Sequence, residues 1–276
     1  MCWGVDYMQG NIVVPLELIF DSGDSIFHGL DLYYGADSIG GLAEAVALTT
    51  HAIVNENVVK QTPSVKGFSL NFKNSFVGSF RQKVELEFNG EESIRVIKYI
   101  GMDAYLELLK LHLRIPMGGS TRLENNKAVK WYKHMKHSDE LLDRLKRPLE
   151  RIHHPVTGQG YKITLSKSRT PLISFDKNTS NYLSAETKSP HKKTIEVAVS
   201  RFNARRGTGR FIEDEDAESI SFSPKSIKLM PRSQKNALAD SLKRLANDDL
   251  FKLKALVTEV LAFDGRVKHY ILHSVE

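Results

Sequence analysis

Alternating apolar and polar residues predict a β-strand near the start of the chain. One face of this strand collects Ile12, Val14, Leu16, Leu18 and Phe20. The polar segment Asp21–Asp24 is typical of a turn, and Ile26–Tyr34 then predicts a second strand that pairs with the first. Pro15 indicates an edge position or a bulge, because proline has no backbone N–H to donate to a neighbouring strand.

A helix and two further strands follow this hairpin. Helical spacing begins after Asp37 or Ser38, either of which could cap the helix, and it continues to Ile53. The runs Phe68–Phe72 and Phe80–Phe88 alternate as strands do. A largely apolar helix is predicted from Glu91 to Leu113, with a possible kink at Gly101. Residues 1–115 are therefore predicted to form an α+β domain of ββαββα order, in which helices pack on an antiparallel sheet.

Residues 116–192 have a different character and are predicted to form a connector. The pattern breaks at Pro116–Ser120 and resumes at Asn125–Arg151 as polar, charged helices. Two short extended runs lie between Tyr161 and Phe175. A stretch rich in Ser, Thr, Asn and Lys then runs from Asp176 to Lys193.

Residues 193–276 predict a small β-barrel. Ile195, Val197 and Val199 alternate with polar or small residues, and a glycine-punctuated turn leads into the extended run Arg210–Ile212. A third strand is predicted at Glu218–Phe222, and then a helix that Ser233 could cap. Two long strands joined by Asp264 and Gly265 complete the domain. Three strands, a helix and two strands is the order of an OB-fold.

The segment R-F-N-A-R-R-G-T-G-R-F-I, residues 201–212, is similar to the first RNA-binding motif of cold-shock domains. The matching positions are Phe202, Asn203, Ala204, Arg206, Gly207 and Gly209. Cold-shock domains are OB-type barrels, so the resemblance implies a barrel that binds RNA or single-stranded DNA. Arg201, Thr208 and Arg210 stand where the family would have aromatic residues that stack on bases. These departures weigh against stacking on rings, but arginine can still contact phosphates and stack its guanidinium plane on a base, so a backbone-tracking mode of binding is expected.

Composition and charge agree with this hypothesis without requiring it. A length of 276 residues suggests two domains, and a formal charge of +6 with a pI near 9.2 permits contact with nucleic acid. Cys2 is the single cysteine, so an internal disulfide and a thiolate zinc cluster are both excluded. A cytoplasmic location is expected, with no membrane-spanning segment and no signal peptide.

Basic residues concentrate at the start of the predicted barrel. The residues predicted to contact nucleic acid are Lys192, Lys193, Arg201, Phe202, Asn203, Arg205, Arg206 and Arg210. The acidic run from Glu213 to Glu218 follows at once, and it could pair with these arginines, compete with nucleic acid for them, or hold an ion. The sequence leaves these three alternatives open.

Catalytic and metal sites have weaker support. The chain has no G-x-S-x-G elbow, H-E-x-x-H motif, Walker loop or kinase signature, so no catalytic residue and no cofactor is predicted. Scattered carboxylates of Asp21, Asp24, Asp31 and Asp37 remain a minor nuclease hypothesis. His134 and His137 have the spacing of helical metal ligands but lack a third ligand, so no metal site is predicted there. Glu44 and His51 are interpreted as an exposed pair.

The whole chain also resembles two-domain bacterial proteins of mobile-element and defence loci, through its layout and not through a motif. We therefore expect a non-enzymatic nucleic-acid-binding protein that acts as an accessory factor of bacterial phage defence or of a mobile element. An oligomeric or regulatory protein that assembles through the N-terminal domain is the alternative, and a metal-dependent nuclease is a third.

Overall fold

The chain folds into two compact units. A computed structural model describes residues 10–23, 29–59, 62, 65–76, 80–135, 137–262 and 265–276. The N-terminal unit comprises Met1–Leu113 and Leu123–Lys177, and the C-terminal unit comprises Arg114–Arg122 and Asn178–Glu276. None of the helices in these described ranges is long and apolar enough to cross a membrane.

The N-terminal unit is built on a five-stranded sheet. Its strands are β1 (Ile12–Asp21), β2 (Phe68–Phe76), β3 (Phe80–Phe88), β4 (Lys162–Lys167) and β5 (Thr170–Phe175). Its helices are α1 (Leu32–Asn55), α2 (Glu91–Ile100), α3 (Met102–Arg114), α4 (Asn126–His134), α5 (Ser138–Ile152) and α6 (His154–Gln159). The strand order is β2-β3-β1-β4-β5, and every neighbouring pair is antiparallel. The predicted α+β class and the N-terminal antiparallel sheet are confirmed.

Alternation along β1 and β3 explains why these strands form. Val14, Leu16, Leu18 and Phe20 of β1 are at most 3% exposed, while the residues between them are polar or more exposed. β1 is the central strand, yet β4 pairs only with its second half, from Leu16 to Asp21. Pro15 lies just before that pairing begins, a position that suits a residue without an N–H.

The structure corrects the beginning of the first helix. Residues 24–28 of the predicted second strand lie outside the described residues, and Leu32, Tyr33 and Tyr34 belong to α1. Asp31 caps the helix by accepting a hydrogen bond from the Tyr34 N–H at 2.9 Å, so the predicted caps at Asp37 and Ser38 are wrong. Glycine has a low helix propensity, yet Gly41 lies inside α1 because packing requires it there. A Cβ at this position would lie 2.6 Å from the Pro148 carbonyl oxygen of α5.

The region predicted as a connector contributes to both units. β4 and β5 pair with each other, and β4 pairs with β1, so residues 162–175 extend the N-terminal sheet. The strand β6 described below begins at Thr187, within the stretch that the sequence analysis assigned to the connector. Gly101 has a φ of +87° and separates α2 from α3, which makes the predicted kink a full break.

His51 is buried, so its interpretation as part of an exposed pair with Glu44 is wrong. Its ring is 3% exposed and makes three hydrogen bonds. Nδ1 accepts from the Asn55 side-chain amide at 3.0 Å and from the Lys66 N–H at 3.3 Å. Nε2 therefore carries the proton and donates to Asn57 Oδ1 at 2.8 Å. Burial lowers the pKa of His51, and the charge of Lys66 lowers it further, so all three bonds fit the neutral ring.

We expect the N-terminal unit to lose stability as the pH falls below the ordinary histidine pKa of 6.5. The unfolded chain binds a proton at that pH, whereas folded His51 binds one only at lower pH, so acid favours the unfolded state. Urea unfolding followed by tryptophan fluorescence, to which Trp131 of this unit contributes, would measure the loss at about pH 7.5 and about pH 5.5. A His51→Gln variant should show a smaller difference between the two values, and an equal difference in both proteins would contradict the assignment to His51.

The C-terminal unit contains a closed ring of five strands. Its elements are α7 (Lys177–Ser184), β6 (Thr187–Asn203), β7 (Thr208–Ile212), β8 (Ile220–Pro224), α8 (Arg232–Leu245), β9 (Leu253–Leu261) and β10 (Val267–Val275). Around the ring the order is β10-β8-β7-β6-β9, and β9 pairs with β10 to close it. The β8–β10 pair is parallel and the other four pairs are antiparallel.

A single apolar core fills the ring. Phe211 and Phe222 of this core stack with ring centroids 3.9 Å apart, and Leu238 of α8 packs into the same cluster with no exposed surface. The predicted hairpin of residues 195–212 is present as β6 and β7. The succession of three strands, a helix and two strands that the sequence pattern predicts is also present.

Candidate nucleic-acid interface

A compact turn at residues 204–207 joins β6 to β7 and holds two arginines at its tip. The Asn203 side-chain oxygen accepts hydrogen bonds from the N–H groups of Arg205 and Arg206, each at 3.1 Å. The Gly207 N–H donates to the Asn203 carbonyl at 2.7 Å, and Gly207 has a φ of +71° that favours glycine. Asn203 therefore shapes the turn, and both arginine side chains are exposed.

The turn packs against the segment that follows β8. A Cβ placed on Gly207 would lie 2.6 Å from Ile227 Cδ1 and 3.1 Å from the Pro224 ring. The exposed residues Lys225 and Lys228 lie in this segment. We call the group Arg205, Arg206, Lys225 and Lys228 the basic end of the barrel.

A second group of polar residues lies on β6, β9 and β10. Lys192 of β6 is exposed and is in register with Thr258 of β9, whose hydroxyl lies 2.8 Å from Nε2 of His273 on β10. The pKa of His273 is lowered by burial and by the positive charges of Lys192 and Lys225.

His269 lies four residues before His273 on β10 and is held by two serines of β8. Its Nδ1 is 2.8 Å from the Ser221 hydroxyl, and its Nε2 is 2.7 Å from the Ser223 hydroxyl. These hydroxyl and imidazole groups offer hydrogen-bond donors and acceptors on β8 and β10.

Arg210, which the sequence analysis assigned to the contact surface, is buried at 6% exposure. Its Nε donates to the Ser219 hydroxyl at 2.8 Å, and its guanidinium also donates to the Ser219 carbonyl. Arg201 is in register with Arg210 on the neighbouring strand and is half-buried. Arg210 therefore anchors the segment that leads into β8.

Phe202 and Lys193 also have partners within the barrel. Phe202 packs on the core, with its ring stacked 6.5 Å from that of Phe222. Lys193 Nζ lies 3.0 Å from Glu259 Oε1, which leaves less of its charge for a ligand. Of the eight residues named from sequence, Lys192, Lys193, Arg205 and Arg206 are exposed.

The acidic run 213–218 is close to the arginines in sequence but lies at the other end of β7. Glu213, Asp214, Glu215 and Asp216 are exposed and follow the last residue of the strand. Five residues of extended chain separate this run from the turn, a distance of roughly 15 Å. That distance exceeds the screening length of about 8 Å at physiological salt, so the run should not neutralise the basic end.

Three residues of the candidate interface lie outside the arginine-rich stretch, and the sequence analysis missed them. Lys225 and Lys228 come after β8, and His273 is near the end of β10. The alternation of His269, Ile271 and His273 along β10 was the one available signal, since it puts them on a single face of a strand. Only the closure of the ring brings β10 beside β8.

The carboxylates of the nuclease hypothesis serve other purposes in the described residues. Asp21 accepts from the Gly23 N–H in a turn, Asp31 caps α1, and Asp24 lies outside the described residues. Asp37 bonds to Arg151 at 2.6 Å and to His154 at 2.7 Å, and Arg151 also bonds to Glu44 at 2.8 Å. Within the described part of the chain, no three His, Cys, Asp or Glu side chains are arranged to hold a metal ion.

Comparison of the chain with protein-family models, with curated proteins and with solved structures finds no match.

Proposed function

We propose that the C-terminal unit is an OB-type barrel that binds RNA or single-stranded DNA through its basic end and Lys192. The connectivity supports the fold, because β8 and β10 are parallel, all other pairs are antiparallel, and α8 lies between the third and fourth strands. OB-folds bind oligonucleotides with the face of strands two and three and with the loop between strands one and two. That loop corresponds to the turn at residues 204–207.

The observation that carries the proposal is that this turn packs against the segment after β8. Four exposed cations belong to the two segments, and the acidic run is at the far end of β7. Lysine and arginine at such a surface bind phosphates by releasing condensed counterions. Since Phe202 packs on the core, we propose that the arginines track the backbone and stack their guanidinium planes on bases.

Charge reversal at the turn tests this proposal. We expect Arg205→Glu/Arg206→Glu to weaken binding of single-stranded RNA or DNA by about tenfold or more. The slope of log affinity against log salt concentration should also become shallower by about one to two units, roughly 0.7 for each lost phosphate contact. Arg210 stays unchanged, because its substitution would remove the bonds to Ser219. Fluorescence polarisation across a salt series, with duplex DNA as a third ligand, measures both quantities.

The matched control is Lys98→Glu/Lys130→Glu, which changes net charge equally at two exposed helical positions of the N-terminal unit. We expect its affinity to stay within about twofold of that of the wild type. Circular dichroism should show that both variants are folded. Failure of the wild type to bind any of the three ligands at low salt would refute the proposal, and so would equal losses in both variants.

Self-association through the N-terminal unit is a second candidate. Leu32 and Tyr33, adjacent in the first turn of α1, are 86% and 71% exposed. Exposed apolar neighbours of this kind often belong to protein interfaces. Light scattering over a range of protein concentrations would reveal such assembly as a rise in mass that a Leu32→Ser/Tyr33→Ser variant lacks.

The proposed cytoplasmic location and the resemblance to proteins of mobile-element and defence loci remain predictions. They suggest foreign transcripts or displaced single strands as ligands. The three ligands in the binding experiment distinguish between RNA and DNA.

A further inference from the structure

The sheet of the N-terminal unit has a cavity of about 640 Å³. Pro15, Leu16 and Glu17 of β1 lie along it, together with residues of β2, β3 and the β4–β5 turn. Ligand sites for small molecules typically have volumes of about 300 to 1,000 Å³. This cavity therefore has room for a molecule the size of a nucleotide or a sugar phosphate.

Positive charge predominates around the cavity. Its four cationic side chains are Lys73, Arg81, Lys83 and Arg169. Its two carboxylates are Glu17 and Glu85, so the lining has a net charge of four minus two, or +2. These charges come from β1, β2, β3 and the β4–β5 turn, so they converge only when the sheet forms.

The two carboxylates are already shared among three of the cations. Lys73 Nζ lies 2.8 Å from Glu85, and this bond raises the pKa of Lys73. Lys83 is directly opposite Glu17 in the β1–β3 register, and Arg81 Nη1 lies 4.0 Å from the Glu17 carboxylate. Arg169, exposed in the β4–β5 turn, adds a fourth positive charge. The net positive charge of this lining would attract an anion.

Glu17 restricts the kind of anion that fits. Its side chain is only 14% exposed and it lines the same cavity as the cations. An inorganic phosphate or pyrophosphate would place its negative charge close to this carboxylate, and the two would repel each other. An organic phosphate can place its charged end among the cations and donate a hydroxyl or amino hydrogen to Glu17.

We propose that this cavity binds a small organic phosphate ester, with its phosphate held by Arg81, Lys83 and Arg169. The Glu17 carboxylate accepts a hydrogen bond from a hydroxyl or amino group of the ligand. The Pro15 ring offers an apolar contact for the sugar or base. Nucleotides and sugar phosphates share this chemistry, and the experiment below separates them.

Isothermal titration calorimetry of the full chain tests the site with adenosine monophosphate, glucose 6-phosphate and inorganic pyrophosphate as separate probes. We expect one of the two organic phosphates to bind with one site per chain and more tightly than pyrophosphate. Arg169→Glu should weaken that binding by about tenfold or more, because a charge in contact with phosphate is reversed. Lys98→Glu, an exposed helical position outside the cavity, should change it by less than about twofold.

A second variant tests the role of Glu17. We expect Glu17→Gln to weaken the organic phosphate and to strengthen pyrophosphate, because it removes both the acceptor charge and the repulsion. A merely structural role of Glu17 would weaken both probes together. The proposal fails if neither organic phosphate binds with a Kd below about 1 mM, if pyrophosphate binds most tightly, or if Arg169→Glu has no effect.

The barrel proposal can be separated from this one. Arg205→Glu/Arg206→Glu should leave binding of the small phosphate ester unchanged, since the turn belongs to the other unit. The Arg169→Glu variant should bind the organic phosphate weakly, whether or not the barrel binds nucleic acid. The two sites can thus be confirmed or refuted independently.

Discussion

Replacing Gly209 with alanine is expected to lower the free energy of unfolding of the barrel by about 3 kcal/mol, at the upper end of typical overpacking costs. A Cβ at this position would collide with the Arg201 carbonyl oxygen and would lie 2.7 Å from two carbons of the Phe222 ring. Neither neighbour can move cheaply. Arg201 belongs to the β6–β7 pairing, and Phe222 stacks on Phe211 in the core.

The measurement is hydrogen exchange of peptides from β6, β7 and β8, whose protection should fall in parallel if the barrel is destabilised as one unit. Gly265→Ala is the matched control. That glycine has a φ of +81° but no atom within 4 Å of an added Cβ, so we expect a cost of about 1 kcal/mol from the backbone conformation alone. Similar losses for the two variants would show that the contacts around Gly209 are not the cause.

Ser241→Ala is expected to cost the barrel about 2 to 3 kcal/mol, because it removes two hydrogen bonds and leaves a buried N–H without a partner. The Ser241 hydroxyl accepts from the Val199 N–H at 3.1 Å and donates to the Phe251 carbonyl at 2.9 Å. Ser241 is fully buried on α8, and Val199 borders the bulge where the β6–β7 register shifts. The side chain thus ties the helix to β6 at an irregular point of the ring.

Urea unfolding followed by circular dichroism would measure the loss of stability, and exchange of the Val199 amide would locate it. Ser184→Ala is a suitable comparison, because the exposed Ser184 hydroxyl donates only to the Ser180 carbonyl within α7. We expect that variant to change stability by less than about 0.5 kcal/mol. Unchanged protection of Val199 in Ser241→Ala would show that the hydroxyl does not hold this amide.

Much of the fold could be predicted where one face of an element is buried and the other is solvated. The alternation of β1, β3 and β9 gives a period of two because buried and exposed positions alternate along a strand. The hydrophobic spacing of α1 indicated a helix but did not locate its start, since Leu32 and Tyr33 are exposed apolar residues and resembled a strand. The first half of β6 is polar on both sides and lacks a periodic pattern, so only its pairing with β9 identifies it as a strand.

The candidate interface was predicted in part. The turn with Arg205 and Arg206 follows from local glycine and asparagine chemistry, which sequence reveals well. The burial of Arg210 could not be foreseen, because its partner Ser219 depends on how the acidic run returns to β8. The cavity of the N-terminal unit was also missed, since its four cations are separated by up to 96 positions, from Lys73 to Arg169.

The amino-acid sequence by itself determined the α+β class, the main strands and helices, and the arginine turn, because each follows from local periodicity, capping or turn chemistry. The tertiary structure alone decided the start of α1, the assignment of β4 and β5 to the first sheet, and the grouping of Arg205 and Arg206 with Lys225, Lys228 and His273. These features depend on contacts between residues distant in the chain. Such contacts form only when strands pair and cores close, and no local pattern of residues encodes them.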